Sequence, residues 1–149
     1  MSPGWRQLVV ICGALAACSP AQRSGGTITP APLDDQSVRA VIRGALAADA
    51  RGESADSLYV IGASVIANGR PRLAPPRYAG TGSGGQIAVN SILSEITPGL
   101  AWVAVRYEWV GPNGVAEPAY ATFVLEPLAG NWRIKHVHSS TMLPWEPKP

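Results

Sequence analysis

The stretch that decides the fold lies near the end of the chain and reads Trp132-Arg133-Ile134-Lys135-His136-Val137-His138-Ser139-Ser140. Its β-branched and aromatic residues, set between turn-forming segments, predict a β-strand. Side chains alternate between the two faces of a strand, so His136 and His138 are expected on one face with Trp132 and Ile134. If that face lines a pocket, both imidazoles point into it.

Three more strand-like segments precede this strand and are separated by short turns, which predicts an antiparallel meander. A hairpin comes before them, because Asn68-Gly69 favours a type I′ turn in which both residues take positive φ. Pro71 lacks a backbone N–H, so its arm of the hairpin is expected at a sheet edge. The predicted strands are Gln86–Ile96, Leu100–Val110 and Glu117–Glu126, and the hairpin arms are Ser64–Ala67 and Arg70–Leu73.

A helix is predicted over Leu33–Arg51, because apolar residues recur there with a helical period. Asp34 and Asp35 suit the start of this helix, Gly52 suits its end, and Ala55–Tyr59 is expected to add a short helical turn. The apolar stripe consists of Val38, Val41, Ile42, Ala45 and Leu46. A helix followed by a bent antiparallel sheet indicates the α+β class.

The last strand also resembles a known family. Its pattern W-x-I-x-H-x-H-x-S, from Trp132 to Ser140, is similar to the ending of SnoaL-like domains and of the calmodulin-dependent kinase association domain. Both belong to the nuclear transport factor 2-like superfamily, and Ala101–Tyr107 looks like its preceding core strand. The resemblance spans Asp34 to Ser140. It implies N-terminal helices packed on a curved antiparallel sheet in a cone, an internal pocket, and in many members a homodimer through the outer sheet face.

The first residues predict where the protein goes. Leu15-Ala16-Ala17-Cys18 follows the cation Arg6 and the mostly apolar run Leu8–Ala17, and it resembles the lipobox of bacterial lipoproteins. Cys18 is then the lipidated N-terminus of the mature chain. By the same resemblance, Ser19 after it favours the periplasmic face of the outer membrane. A plain signal peptide with an incidental cysteine is the alternative, whereas an uncleaved anchor would need about twenty apolar residues.

Four regions follow from this interpretation. They are a signal peptide at 1–17, a flexible tether rich in Ser, Gly and Pro at 18–32, the SnoaL-like domain at 33–141 and a Pro-rich tail at 142–149. Cys12 lies in the segment to be removed. With the other cysteine acylated, the mature chain is expected to have no thiol for a disulfide or a thiolate metal site.

Charge and glycine patterning argue against two classes of partner. The formal net charge is +2 and no long basic run is present, so nucleic acid binding is not predicted. Gly80–Gly85 lacks the Lys-Ser/Thr ending of a phosphate loop, and its glycine spacing differs from the dinucleotide fingerprint. No cofactor is therefore predicted.

The two histidines are the first candidates for chemistry. His136 and His138 suit general acid-base work or anion binding, because imidazole exchanges a proton near neutral pH. The structural alternative is that they hydrogen-bond within the protein and hold the end of the strand. A zinc site would need a third protein ligand that the sequence does not indicate, so no metal is predicted.

Other candidates come from the neighbouring strands. Arg106 suits a carboxylate, although a solvated surface pair with Glu108 is the alternative. Tyr120, Tyr107 and Tyr78 offer phenol hydroxyls, and the alternative is that they pack in the core with the hydroxyl already hydrogen-bonded. The resemblance adds Asp56, which follows the helix close to where some enzymes of the superfamily place an acidic residue; its alternative is a turn or capping role. The predicted ligand-binding set is Trp132, His136, His138, Arg106 and Tyr120.

Three functions remain open, and whether the protein is an enzyme is undecided. The favoured one is a membrane-tethered module that binds a small molecule in its pocket. The second is an isomerase, cyclase or hydrolase with His138, His136 or Asp56 as acid or base. The third is a non-enzymatic assembly module of the cell envelope that acts through a homodimer face. The superfamily contains both enzymes and binders, so the fold does not choose among them.

Overall fold

The computed structural model describes residues 34–142, and the predicted signal peptide, tether and all but the first residue of the tail lie outside this range. Its elements are α1 (Asp35–Ala50), a 3-10 helix (Asp56–Leu58), β1 (Tyr59–Ala67), β2 (Arg70–Pro71), β3 (Gln86–Thr97), β4 (Leu100–Val110), β5 (Ala116–Leu128) and β6 (Asn131–Thr141). Each helix and strand predicted from the sequence is present. Within the described range there is one α-helix, and no helix is long and apolar enough to cross a membrane.

Helix α1 starts and ends where the sequence predicts. The Asp34 carboxylate accepts a 2.8 Å hydrogen bond from the backbone N–H of Ser37, which caps the first turn. At the other end Gly52 takes φ +72°, and the N–H of Glu53 donates to the carbonyl of Ala48 at 2.9 Å. This left-handed glycine followed by a back-bonded residue is the Schellman ending, which satisfies carbonyls of the last turn.

The six strands form one sheet in the order β2-β1-β6-β5-β4-β3. Strands β3 to β6 are the predicted antiparallel meander, and β2 is at the edge, as Pro71 predicts. Asn68 and Gly69 have φ values of 49° and 73°, as a type I′ turn requires. Strand β1 pairs in parallel with β6, so the sheet is mixed rather than purely antiparallel. That pairing was not predicted.

One face of the curved sheet packs against α1 and is called the inner face; the opposite face is called the outer face. The alternate residues of β4, β5 and β6 that point inward are buried, and they meet the apolar stripe of α1. Burial of such side chains is the main stabilising contribution to a domain of this size. The largest fully buried side chains are Trp132, Tyr107, Phe123, Ile42, Leu46, Leu125 and Ile134.

Strand β6 contains a β-bulge. Leu125 of β5 pairs with Ile134, but the preceding Val124 pairs with His136, so Lys135 is an extra residue on β6. An extra residue reverses the inward and outward alternation of all side chains after it. The burial pattern of β6 changes in the same place, since two consecutive non-buried residues, Lys135 and His136, follow the buried Ile134.

The Gly80–Gly85 loop packs on an aromatic side chain. A Cβ added to Gly82 or to Gly85 would lie 2.9 Å or 2.2 Å from atoms of the Trp109 indole, which is closer than atoms can approach. The N–H of Gly85 also donates to the carbonyl of Ala50 at 3.1 Å and ties the loop to the end of α1. The glycines therefore let the loop cover Trp109, which explains a glycine-rich sequence that matches no nucleotide motif.

Candidate functional site

The predicted placement of the two histidines is wrong. Trp132 points to the inner face and is buried, but after the bulge at Lys135 it is Val137 and not His136 that points inward. His136 and His138 are therefore on the outer face, away from α1. His136 Nδ1 is 2.7 Å from the hydroxyl of Ser64 on β1, and His138 is exposed. Any ligand that these imidazoles bind must approach the outer face, and their role in binding stays a prediction.

The rest of the predicted ligand-binding set divides between the two faces. Arg106 and Tyr120 are directly opposite each other on β4 and β5 and point to the outer face, as do the histidines. Trp132 is alone on the inner face and belongs to the core. Glu108 accepts a 3.0 Å hydrogen bond from Asn90, and among residues 34–142 no ion pair joins it to Arg106. The five residues do not form one site.

A pocket lies instead at the start of β1. Tyr59 pairs with Ile134 and Ser64 pairs with His136, so residues 60–63 of β1 face only Lys135 of β6. This wide bulge, in which Gly62 takes φ +79°, separates the strand from its neighbour. It leaves a cavity of about 290 Å³. The lining residues are Asp56, Tyr59, Val60, Ile61, Gly62, Ala63, Val65, Arg72, Leu73 and Arg77.

The polar wall of the pocket is made by Asp56, Arg77 and Tyr59. Nη2 of Arg77 is 2.7 Å from Oδ1 of Asp56, and the guanidinium carbon is 5.2 Å from the centre of the Tyr59 ring. Its side chain is 12% exposed, whereas that of Asp56 is 73% exposed. The Tyr59 ring and the Asp56 carboxylate together hold the guanidinium in place, and the carboxylate itself stays largely exposed to solvent.

Three tyrosine hydroxyls extend from this wall into the protein. The hydroxyls of Tyr59 and Tyr78 are hydrogen-bonded to each other, and that of Tyr107 donates to the carbonyl of Ala79 at 2.6 Å. Burial raises the pKa of all three phenols, that of Tyr78 well above its ordinary value. The phenols are therefore neutral at physiological pH and are hydrogen-bond donors rather than bases.

A buried carboxylate fixes the loop that contains Arg77. Asp49, near the end of α1, is 4% exposed. Its oxygens accept hydrogen bonds from the backbone N–H groups of Arg77 at 2.7 Å and Tyr78 at 3.1 Å, and from the hydroxyl of Thr81 at 2.9 Å. Three donors on one carboxylate offset the loss of hydration on burial. Asp49 thus positions Arg77 and Tyr78 from behind the pocket wall.

The electrostatics of Asp56 bear on its candidate role as a base. A hydrogen bond from Ser54 and the contact with Arg77 lower the pKa of this carboxyl. A general base works best when its pKa is close to the working pH, and this shift is in the opposite direction. Asp56 is therefore an anion at neutral pH and orients Arg77.

Sequence reasoning had singled out Asp56 and Tyr78 but not Asp49, Tyr59 or Arg77. Asp49 did carry a signal, because it follows Leu46 by three residues and so falls on the apolar stripe of α1. A carboxylate at such a position must find internal partners. No pattern in the sequence marks Arg77 as a site residue. Among residues 34–142, no group of three or more His, Cys, Asp or Glu side chains is arranged to hold a metal ion.

No protein-family model and no curated protein matches the sequence. Solved structures do match it in shape. A proposed ketosteroid isomerase from Shewanella frigidimarina superposes with a TM-score of 0.56 at 20% identity, over 71% of this chain and 96% of its own. A proposed dehydratase of the NTF2-like (nuclear transport factor 2-like) family from Streptomyces avermitilis gives a TM-score of 0.57 at 19% identity, over 72% and 96%. The chain has the NTF2-like fold.

A third solved structure also matches this chain in shape. A protein of unknown function with a cystatin-like fold from Nostoc punctiforme gives a TM-score of 0.59 at 9% identity, over 78% of this chain and 96% of its own. Identities this low establish shared architecture without shared chemistry. The predicted NTF2-like fold is thus confirmed, with one described α-helix instead of several.

Proposed function

We propose that this NTF2-like domain binds a small molecule in the pocket at the β1 bulge. The observation that supports the proposal is the composition of that pocket, which combines apolar side chains with an ordered Arg77–Asp56 pair and a tyrosine. A concave, largely apolar site with a few fixed polar groups is the usual form of a ligand site. The cavity of about 290 Å³ suits a compact ligand.

Binding is favoured over catalysis by the state of the polar groups. The pKa of Asp56 is lowered and those of Tyr59 and Tyr78 are raised, so none of the three exchanges a proton readily near neutral pH. The two histidines lie on the outer face, away from this pocket. An enzyme of isomerase, cyclase or hydrolase type remains the second candidate, because two of the matched structures are proposed enzymes of the same fold.

Native mass spectrometry tests the binding proposal directly. The soluble domain, starting near Ala21, should be purified gently and sprayed intact, and an added small-molecule mass is the expected result. The variant Ala63→Phe fills the pocket and should lose that mass. Ala88→Phe, on an exposed position of β3 outside the pocket, is the matched control. An unliganded protein, or a mass retained by Ala63→Phe, would contradict the proposal.

We further propose that the domain is a homodimer through its outer face. The support is the exposure of large apolar side chains there, with Trp102 45% and Leu93 69% exposed, beside Leu100 and Tyr120. An apolar surface of this kind on a soluble domain usually marks an interface. If the protein acts in assembly, its functional surface is this outer face and not the pocket.

Analytical ultracentrifugation tests this interface. Trp102→Lys should turn the dimer into a monomer, because a charge would be buried at the centre of the contact. Ile61→Lys makes the same kind of change at an exposed site on β1, away from the outer-face cluster, and should leave the dimer intact. A wild-type monomer at micromolar concentration would overturn the proposal.

We also propose that the mature protein is a lipoprotein anchored through Cys18, with the outer membrane as its destination. The Leu15–Cys18 pattern and Ser19 support this. Metabolic labelling with a palmitate analogue should label the wild type and not Cys18→Ser. Cys12→Ser is the matched control, because this cysteine lies within the segment to be removed. Label that persists in Cys18→Ser would contradict acylation at Cys18, and unlabelled wild-type protein in the soluble periplasmic fraction would argue for a plain signal peptide.

A further inference from the structure

The pocket at the β1 bulge has a surplus of positive charge. Its three charged lining residues are Asp56, Arg72 and Arg77, which gives one negative and two positive charges and a net charge of +1. Asp56 and Arg77 neutralise each other at 2.7 Å. The described residues provide no carboxylate partner for the guanidinium of Arg72, which is exposed. A group of five N–H donors is therefore available at the mouth of the pocket.

The same mouth holds the two most exposed large apolar side chains of the described range. Ile61 is fully exposed on the β1 bulge, and Leu73, which follows Arg72 after the edge strand, is 92% exposed. Both line the pocket, so they stand beside the free guanidinium. Apolar side chains left in water gain free energy when another apolar group covers them.

We propose that the ligand of this pocket is a compact amphipathic monoanion of the carboxylate type. Its head group binds the guanidinium of Arg72 in two parallel hydrogen bonds, and its apolar part lies between Ile61 and Leu73. Asp56 excludes a second negative charge, because an anion placed near Arg77 would meet this carboxylate. The inference rests on the proposed binding function and adds the chemical class of the ligand.

The probes are decanoate, decanol and decylamine, which share one apolar chain and differ in head-group charge. Binding is followed by amide chemical shifts of the 15N-labelled soluble domain, and residues 60–63 and Leu73 report the site. Decanoate should shift these resonances and bind at least tenfold more tightly than decanol, while decylamine should bind most weakly. Arg72→Gln should weaken decanoate binding by about tenfold or more, in line with the strength of charge-assisted hydrogen bonds.

Arg70→Gln is the matched control. It removes the same charge from an exposed position two residues away that does not line the pocket, and decanoate affinity should stay within about twofold. A substitution at Arg72 that has no more effect than one at Arg70 would overturn the assignment of the head-group partner.

Two results separate this inference from the binding proposal itself. If the three probes bind the bulge equally well, the pocket is a ligand site but its preference for an anion is wrong. If no probe shifts the bulge resonances, the amphipathic anion is wrong, and native mass spectrometry decides independently whether the pocket binds anything. Binding to phosphatidylglycerol vesicles without a response to free decanoate would also overturn the inference, since it would assign the cluster to a membrane surface.

Discussion

The substitution Asp49→Asn tests the account of how the pocket wall is positioned. Oδ1 of Asp49 accepts a hydrogen bond from the N–H of Arg77, and Oδ2 accepts from the N–H of Tyr78 and the hydroxyl of Thr81. Asparagine has almost the same shape but replaces one acceptor oxygen with an NH₂ donor. We expect the amide oxygen of the substituted side chain to keep the hydrogen bond from the backbone N–H of Arg77. The NH₂ group then faces the backbone N–H of Tyr78, which is left without an acceptor.

The magnitude follows from those contacts. A buried N–H left without a partner costs about 1–3 kcal/mol, and a hydrogen bond to a neutral instead of a charged acceptor loses about 1 kcal/mol more. The Thr81 hydroxyl can rotate and accept, so it adds little. The expected loss in free energy of unfolding is about 3 kcal/mol, which lowers the melting temperature of a domain of this size by about 12 °C.

Urea unfolding followed by circular dichroism measures this loss, and thermal melts check it. Glu117→Gln is the control, because it neutralises an exposed carboxylate on β5 and should change stability by less than about 0.5 kcal/mol. A loss below about 1 kcal/mol for Asp49→Asn would refute the reasoning, since it would mean that the buried N–H groups find other partners. The variant should also weaken ligand binding, because the loop around Arg77 loosens.

Four further outcomes follow from the structure. Trp132→Ala should cost about 3–5 kcal/mol in urea unfolding, because the indole is fully buried in the core; a loss under 1 kcal/mol would contradict its place there. Deletion of Lys135 closes the bulge without changing the pairs Leu125–Ile134 and Val124–His136, so His138 should stay on the outer face and keep its reactivity toward diethyl pyrocarbonate; loss of that reactivity in a folded variant would contradict the bulge. The pKa of Asp56 lies below its ordinary 3.8, so the carboxylate stabilises the domain above that pH, and this stabilisation fades as pH falls through the folded pKa. Asp56→Asn should thus be less stable than wild type at pH 7 and equal to it near pH 2, and a stability difference that persists at pH 2 would contradict this account. Burial raises the pKa of Tyr78 and Tyr107, so the neutral phenols stabilise the fold below their ordinary pKa of 10.0, and this stability is lost as pH rises toward the folded values. The 295 nm absorbance of the ionised phenolates should therefore appear only with alkaline unfolding, and ionisation in the folded domain would count against their burial.

Much of the fold is predictable from local pattern. The Asn68-Gly69 turn, the Asp34 cap and the final four strands depend on neighbouring residues, so their signals lie within short windows of sequence. The parallel pairing of β1 with β6 joins segments about seventy residues apart, as Ser64 and His136 show. No local signal reports a pairing of that range, so the meander was predictable and the mixed sheet was not.

The predicted facing of the two histidines failed at one residue. Strict alternation from Trp132 would place both histidines inward, and the single insertion of Lys135 reverses that placement. The bulge itself has no glycine or proline on β6 that would mark it, and on β1 only Gly62 hints at irregular backbone. Because the pocket forms where both strands depart from regular pairing, its lining could not be deduced from strand periodicity.

The position of β6 has a consequence for biosynthesis. This strand comes last among the described elements but sits between β1 and β5, so it joins the two parts of the sheet. Until β6 leaves the ribosome, the nascent chain holds α1 with a short hairpin and a separate three-stranded meander, and neither has a complete core. The domain is therefore expected to reach a stable fold only after its last described strand has been synthesised.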